Sequence, residues 1–392
     1  MSADPGALTI HRVEAGDAAA RTVARIREHL DAGAPPAAIA VLARVTSALL
    51  PVQVALTESG IGHTAPLEAA VLKRTGIRTA LAYLRLGLDL ERIRRDDLLE
   101  TLNRPARKVK SAVLPLLPRG RLTLRSLEQV ADVLGETHRE RFTDYLDDLR
   151  ALEAAITAGA DTQACLTLIR RRIGLGEAVD ALDASRSRPE GSSHGDDLDA
   201  LEQLAHLQPR PDELESWLTD RLRVPADPAG VTLATVHKVK GRQWPHVVVV
   251  GASAGLFPHR LADDVEEERR VFHVAITRCQ ASVDVITESG RVSPFVDELA
   301  PAAADDGANG GGPVPLDDGT DGGGPVPPGD GTSGDGPMPS DVGTSPTVSS
   351  PLAGSSTAFP SQDTVDEPVA HAPARFHAAT PTAVTSVPSA WN

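Results

Sequence analysis

Cysteine is almost missing from this 392-residue chain: Cys165 and Cys279 stand alone, too few for a disulfide framework and at a spacing that fits no zinc motif. That usage points to a reducing, cytoplasmic setting, and no metal site is expected. No stretch reaches the roughly 20 apolar residues of a membrane span, and MSADPGALTI lacks the basic-then-apolar order of a secretory leader. Neither a membrane nor an export route is therefore expected. Aromatics make up only 3% of the chain, which leaves little for stacking on nucleobases. Lys and Arg number 39 against 54 Asp and Glu, a net charge of -15. That balance argues against nonspecific coating of nucleic acid, although it leaves room for a local basic groove.

The acidity is uneven. Residues 301–392 hold 11 acidic residues and one basic residue, together with 14 Gly and 15 Pro, and few bulky apolar side chains offset the entropy of ordering them. They include three 12-residue units, GGGPVPLDDGTD (310–321), GGGPVPPGDGTS (322–333) and GDGPMPSDVGTS (334–345). Units of this composition build no packed solenoid, so a disordered acidic tail is expected.

The body alternates between two patterns. Residues 17–33 start at Asp17 as an N-cap, space Ala20, Val23, Ile26 and Leu30 by three and four, and stop at Gly33, which predicts an amphipathic helix. AIAVLA (38–43) is too short for a helix and reads as a buried strand; a helix follows over 50–59, and Ile61 to Thr64 suggest another strand. From residue 76 the pattern becomes helical: 75–88, a segment begun by a Ser126/Gln129 capping box, then 138–158, 162–173, 198–207 and 212–223, with a mobile loop over 184–197. Strand patterns return at VTLATV (231–236), HVVVV (246–250) and SVDVIT (282–287), around a helix over 265–279. An α/β fold interrupted by an all-α block is expected, with segments 1–75 and 229–300 forming one domain, 76–228 the insertion and 301–392 the tail.

Two clusters carry chemistry. In the first, Thr235, His237, Lys238, Lys240 and Gly241 occupy a loop between two strands, where cationic and hydroxyl groups can meet phosphate oxygens. Spacing alone leaves a second reading open, a solvated charged connection, and Trp244 beside it reads as a core aromatic. In the second, EEERRVFHVAITRC (266–279) places acids in a first helical turn and Arg278 in the last, on the face of Val271, Val274 and Ala275. An arginine there either complements the dipole or reaches a buried anion.

In order and spacing these clusters resemble the C-terminal motifs of superfamily 1 DNA helicases of the UvrD/PcrA/Rep type, T-x-H-x-x-K-G, then G-L-F-P, then E-E-R-R-x-x-x-V-A-x-T-R. The chain supplies Thr235, His237, Lys240, Gly241, Gly255, Leu256, Phe257 and Pro258, then Glu267, Glu268, Arg269, Arg270, Val274, Ala275, Thr277 and Arg278. IAVLAR (39–44), ESGIGH (58–63) and IRTALAYLRL (77–86) are similar to upstream family segments, so the resemblance covers about residues 8–300. It implies a RecA-like 2A domain, of the P-loop NTPase kind, carrying motifs V and VI and interrupted by a helical 2B domain. It also implies that Thr235, His237, Lys238 and Lys240 face DNA, that Gln243 and Arg44 lie near the nucleotide, and that Arg278 reaches the γ-phosphate.

The departures bear on activity. Gln243 stands where the family has Glu, His273 where it has Tyr, and Val45-Thr46 where it has Thr-Asn. No G-x-x-x-x-G-K-[ST] occurs in the chain, nor a D-E-x-Q segment on a buried strand. The leading expectation is the C-terminal half of an ATP-dependent 3′→5′ DNA helicase, active in unwinding, repair or recombination. ATP and Mg²⁺ would engage only when an N-terminal RecA-like motor half is supplied in trans, and single-stranded or duplex-junction DNA is the expected substrate. The alternatives are a non-catalytic module that binds single-stranded DNA or protein, and a truncated remnant.

Overall fold

Five short apolar segments pair into a single sheet in the computed structural model, which describes residues 7–185 and 191–299. They are β1 (Ala7–Val13), β2 (Ile39–Ala43), β3 (Thr232–Thr235), β4 (Trp244–Val249) and β5 (Cys279–Glu288), in the order β1-β5-β4-β2-β3, with every pairing parallel. A parallel sheet needs crossovers that cover both faces, so its inner strands are apolar on both sides. β2 shows this most clearly, with all five residues at 0% exposure. Ile39, Val41 and Ala43 enter one apolar cluster while Ala40 and Leu42 enter the other, as the two-residue period of a strand requires.

Helices α1 (Ala18–Asp31) and α2 (Leu50–Glu58) pack on the first face. The second face is covered by α12 (Val265–Ile276) and α13 (Pro294–Leu299), through Val271, Phe272, Ala275, Phe295 and Val296. Between β2 and β3 the chain also makes α3 (Thr75–Leu88), α4 (Arg95–Thr101), α5 (Lys110–Val113), α6 (Leu124–Val133), α7 (Glu136–Thr157), α8 (Thr162–Thr167), α9 (Leu175–Ala184), α10 (His194–Ala205) and α11 (Leu214–Arg221). Among the described residues no sheet strand interrupts this block. β2 and β3 are nevertheless neighbours, with Ala40 opposite Thr232. The helical block shares its core with the first face, because Tyr83, Phe142, Tyr145 and Leu201 join the cluster that holds Ile26, Ile39 and Val41.

Several local expectations change. Ile61 to Thr64 form no strand; only an isolated bridge joins His63 to Val231, because the chain turns away after Thr64 donates to the Val231 carbonyl at 3.0 Å. The capping box at α6 is Thr123 with Ser126, three residues upstream of the Ser126/Gln129 pairing, and both its hydrogen bonds are made. Part of the segment expected as a loop over 184–197 is helical, since Ser193 and Asp196 form a second capping box that starts α10 at His194. The expected tail and its three repeats lie outside the described residues.

Close backbone approach fixes the return from the helical block to the sheet. A Cβ on Gly230 would lie 2.3 Å from the Gly62 carbonyl carbon and 2.4 Å from its oxygen. That oxygen accepts from the Val231 N–H at 2.9 Å, so the two backbones have no room to part without losing the bond. Gly230→Ala is expected to destabilise the protein by about 1–3 kcal/mol, read as a lower urea midpoint at unchanged slope.

Candidate functional site

The loop after β3 owes its shape to two valines. Val236–Val239 is a 3-10 turn with three residues per turn, so Val236 and Val239 fall together and bury in the second-face cluster. His237 and Lys238, which lie between them, face outward and are exposed. The turn closes at Gly241, whose φ of +78° lies in the left-handed region that favours glycine. Trp244 is buried at the start of β4, as expected for a core aromatic, with the Arg242 guanidinium 4.6 Å above its ring.

Arg44, Thr235, His237 and Lys238 line one groove of about 510 Å³, with Val45, Thr46 and Gly191 completing its wall. It opens where β2 and β3 end, at Ala43 and Thr235. The carboxyl ends of parallel strands are where open α/β sheets place ligands, because the loops there converge. Desolvation first, and then the neighbouring Arg44 guanidinium, push the His237 imidazole below its ordinary value. It is therefore neutral at pH 7, and permanent positive charge in the groove comes from Arg44 and Lys238. Lys238 has no hydrogen-bond or ion-pair partner among the described residues, which leaves its ammonium free for a ligand.

Arg278 is placed differently from the expectation. α12 ends at Ile276 with Thr277 as its cap, so Arg278 is one residue beyond the cap rather than on the helix's apolar face. Its Nε donates to the Val274 carbonyl at 3.2 Å and its Nη1 to the Arg242 carbonyl at 3.4 Å, while its own carbonyl accepts from the Trp244 N–H at 2.9 Å. Nη2 has no partner among the described residues. Gln243 is exposed immediately before β4, and Lys240 is exposed on the same connection.

Two groups result, on opposite edges of the sheet. Arg44 and the His237 loop follow the C-terminal ends of β2 and β3, whereas Gln243 and Arg278 precede the N-terminal ends of β4 and β5. At about 3.3 Å per residue along the strands, the edges are roughly 15 Å apart. Arg44, grouped in the sequence reading with Gln243 and Arg278, thus sits instead with Thr235, His237 and Lys238. Helix α12 spans the distance, with Glu268 near one end bound to Arg44 at 2.7 Å and Arg278 just past the other.

Apart from Arg44, both groups come from one stretch of the chain. Residues 192–289 match the model of the UvrD-like helicase C-terminal domain. Those residues form a UvrD-like helicase C-terminal domain. The chain is 28% identical over 304 residues to the ATP-dependent DNA helicase UvrD2 of Mycobacterium tuberculosis, covering 74% of this chain and 34% of that protein. Shorter matches reach 42% identity over 69 residues with the ATP-dependent DNA helicase PcrA of Staphylococcus epidermidis, and 36% over 67 with srs2 of Schizosaccharomyces pombe. They cover 16% and 17% of this chain, and 10% and 8% of those proteins. The chain thus spans about a third of the UvrD2 length it matches.

Within this UvrD-like region, the described residues hold no group of three His, Cys, Asp or Glu arranged for a metal. No helix among them is long and apolar enough to cross a membrane. Glu268 escaped functional assignment in the sequence although it lies inside a quoted motif. Its partner Arg44 is 224 residues away, and no local pattern signals that pairing.

Proposed function

We propose that the chain is the C-terminal half of an ATP-dependent 3′→5′ DNA helicase, a RecA-like 2A domain carrying a 2B insertion. In this reading the groove at the β2 and β3 ends holds the backbone of single-stranded DNA, and Arg278 at the opposite edge serves the nucleotide. The observation that carries it is the joining of two separated motif segments, at Arg44 and at Thr235 to Lys238, into one basic groove, with Glu268 of α12 bound to Arg44 and that helix leading on to Arg278.

The residues present fit only part of a nucleotide site. Arg278 offers a free Nη2, but no phosphate-cradling loop of the Walker type occurs in the sequence. Turnover therefore needs such a domain from elsewhere. When ATP is bound, Arg278 would neutralise charge developing on the γ-phosphate, while Gln243 gives the nucleotide edge a neutral amide where relatives of this type carry a carboxylate.

Single-strand binding tests the groove without any motor half. Phosphate contacts release counterions, so each one lost lowers the log–log salt slope by about 0.7 for a single strand. The double substitution Lys238→Ala/Lys240→Ala is expected to weaken binding of an oligothymidylate and to lower that slope by about 0.7 to 1.4, according to whether one lysine or both meet phosphate. An unchanged affinity and slope would return this loop to a solvated connection.

A further inference from the structure

Three histidines meet where α1 lies on the first face of the sheet. Arg21, Arg25 and His29 recur every four residues along α1 and so share one side of the helix. That side meets His11 of β1, His246 of β4 and Asp284 of β5. The His11 side chain is 10% exposed and bonded at both ring nitrogens. Its Nδ1 accepts from Arg21, from Nε at 3.3 Å and Nη2 at 3.0 Å, and its Nε2 lies 2.7 Å from Asp284 Oδ1. A guanidinium only donates, so Nδ1 offers its lone pair, the proton sits on Nε2 and this imidazole is neutral. The His29 ring is held at Nε2 by Asp284 Oδ2 at 3.2 Å and stacks on His246, with centroids 4.2 Å apart and planes 24° from parallel. His246 Nδ1 in turn lies 2.8 Å from Ser282 Oγ. Burial first, then His29 and Arg25, outweigh the pull of Asp284 and hold the His246 imidazole below its ordinary value. The fixed charges of this layer already balance: Arg21 and Arg25 stand against Asp284 and Glu28, and Glu28 pairs with both arginines.

We propose that this layer is an acid-operated release for α1: protons taken up by His11 and by the His29–His246 stack add positive charge that drives the helix from the sheet. The inference stands apart from the reading of the groove. A proton on His11 Nδ1 breaks both bonds from Arg21 and sets two cations 3.0 Å apart. A proton on either stacked ring places a cation against its neighbour in a half-buried site whose acids are already matched. Once α1 has lifted, these rings take up protons freely. The open state therefore binds more protons than the docked one, and docking weakens as pH falls below the ordinary histidine value of about 6.5. Carboxylates ionise near about pH 4, so Asp284 stays charged across this interval and the histidines alone set the response. Release uncovers Ala19, Val23 and Ile26, which α1 buries in the first-face cluster.

The test follows amide hydrogen exchange of the full chain at about pH 7 and about pH 5.5, with rates corrected for the intrinsic pH dependence of exchange and α7 of the helical block as internal reference. Each histidine that must stay neutral while α1 is docked is expected to raise its opening constant roughly tenfold over this interval. α1 should therefore lose roughly ten- to a hundredfold in protection while α7 changes much less. In His11→Gln/His246→Asn, amides keep neutral hydrogen-bonding groups at both positions without titrating, and most of that loss should vanish. Arg21→Gln removes the cation that faces His11 and should remove roughly half of the loss on a logarithmic scale. His63 and His237, which burial also holds below their ordinary value, remain in every variant, so their share cancels in the comparison. Melting curves at neutral pH establish that each variant is folded. If the double variant is not, Arg21→Gln, changed at a half-exposed position, carries the test through the same sign. An equal loss of α1 protection in wild type and folded variants, or a wild-type loss no greater in α1 than in α7, overturns the proposal.

Discussion

Mixed with the phosphate-loop domain of a related helicase, this chain is expected to support DNA-dependent ATP hydrolysis, and Arg278→Ala is expected to lower kcat by 10³-fold or more. Alone, it should release no phosphate from ATP. The size of the Arg278 effect follows from what the residue does in the resting protein, where Nε and Nη1 are spent on the Val274 and Arg242 carbonyls and Nη2 is uncommitted. In the proposed reading these two bonds hold the guanidinium ready for the nucleotide, so the transition state would gain a preorganised charge at little reorganisation cost. A contact made chiefly in the transition state appears in kcat and much less in nucleotide affinity. The measurement is steady-state phosphate release at saturating oligothymidylate, beside nucleotide binding for both proteins. Hydrolysis by the chain alone that disappears in Arg278→Ala would contradict the requirement for a second domain. Absence of hydrolysis from every such mixture, with single-strand binding intact, would replace the motor by a non-catalytic binding module.

The largest loss of stability is expected from Asp284→Ala. Asp284 lies on β5 at 1% exposure and gathers three partners from two other elements. Arg25 of α1 donates Nε at 2.9 Å and Nη2 at 3.2 Å, His11 of β1 lies at 2.7 Å, and His29 of α1 at 3.2 Å. Truncating this carboxylate removes the buried counterion of the Arg25 guanidinium, 19% exposed at its side chain, and leaves it only the half-exposed Glu28 carboxylate. Breaking a buried ion pair in this way costs about 3–5 kcal/mol, to be read from urea unfolding at pH 7. The same carboxylate sets a pH dependence. Burial would raise it, but hydrogen bonds from Arg25, His11 and His29 prevail and hold it below its ordinary value. A group depressed in the folded state contributes stability above the unfolded carboxylate value of about 3.9 and loses it as pH falls through the folded one. The gap between wild type and Asp284→Ala should therefore be present at neutral pH and shrink below about pH 4. A difference under about 1 kcal/mol at pH 7 would mean that solvent reaches Arg25 readily enough to replace the carboxylate.

These two residues also show which features a sequence exposes. α3 runs over Thr75–Leu88, the span its apolar spacing predicts, and β2 falls within a short apolar run that no helix could use. In both, the signal is local and repeats along the element. β1 carries no such signal, because it is an edge strand whose residues are exposed or half-buried and do not alternate. The position of Arg278 turned on where α12 stops, and a helix end is set by a few backbone bonds rather than by periodicity. Contacts such as Asp284 with His11, 273 residues apart, and Arg44 with Glu268, 224 apart, arise only when distant strands become neighbours. The motif segments themselves were legible, and so was the chemistry they offer. Their division between two edges of the sheet was not, because it depends on strand direction, and direction follows from the topology.

The strand order also dictates when the sheet can form during synthesis. β1 pairs only with β5, and β2 only with β3 and β4. Ala40 must therefore wait for Thr232, and Ala7 for Ser282. No strand emerging in the first 230 residues has a partner yet made, while the helices from α3 to α11, which depend on nearer contacts, can already collapse on one another. The nascent chain thus carries β2, wholly apolar on both sides, through synthesis of the whole helical block with only one side sheltered by helices. The ribosome delivers the partners of β2 only after the helical block, which is what can shelter that strand from other chains until then.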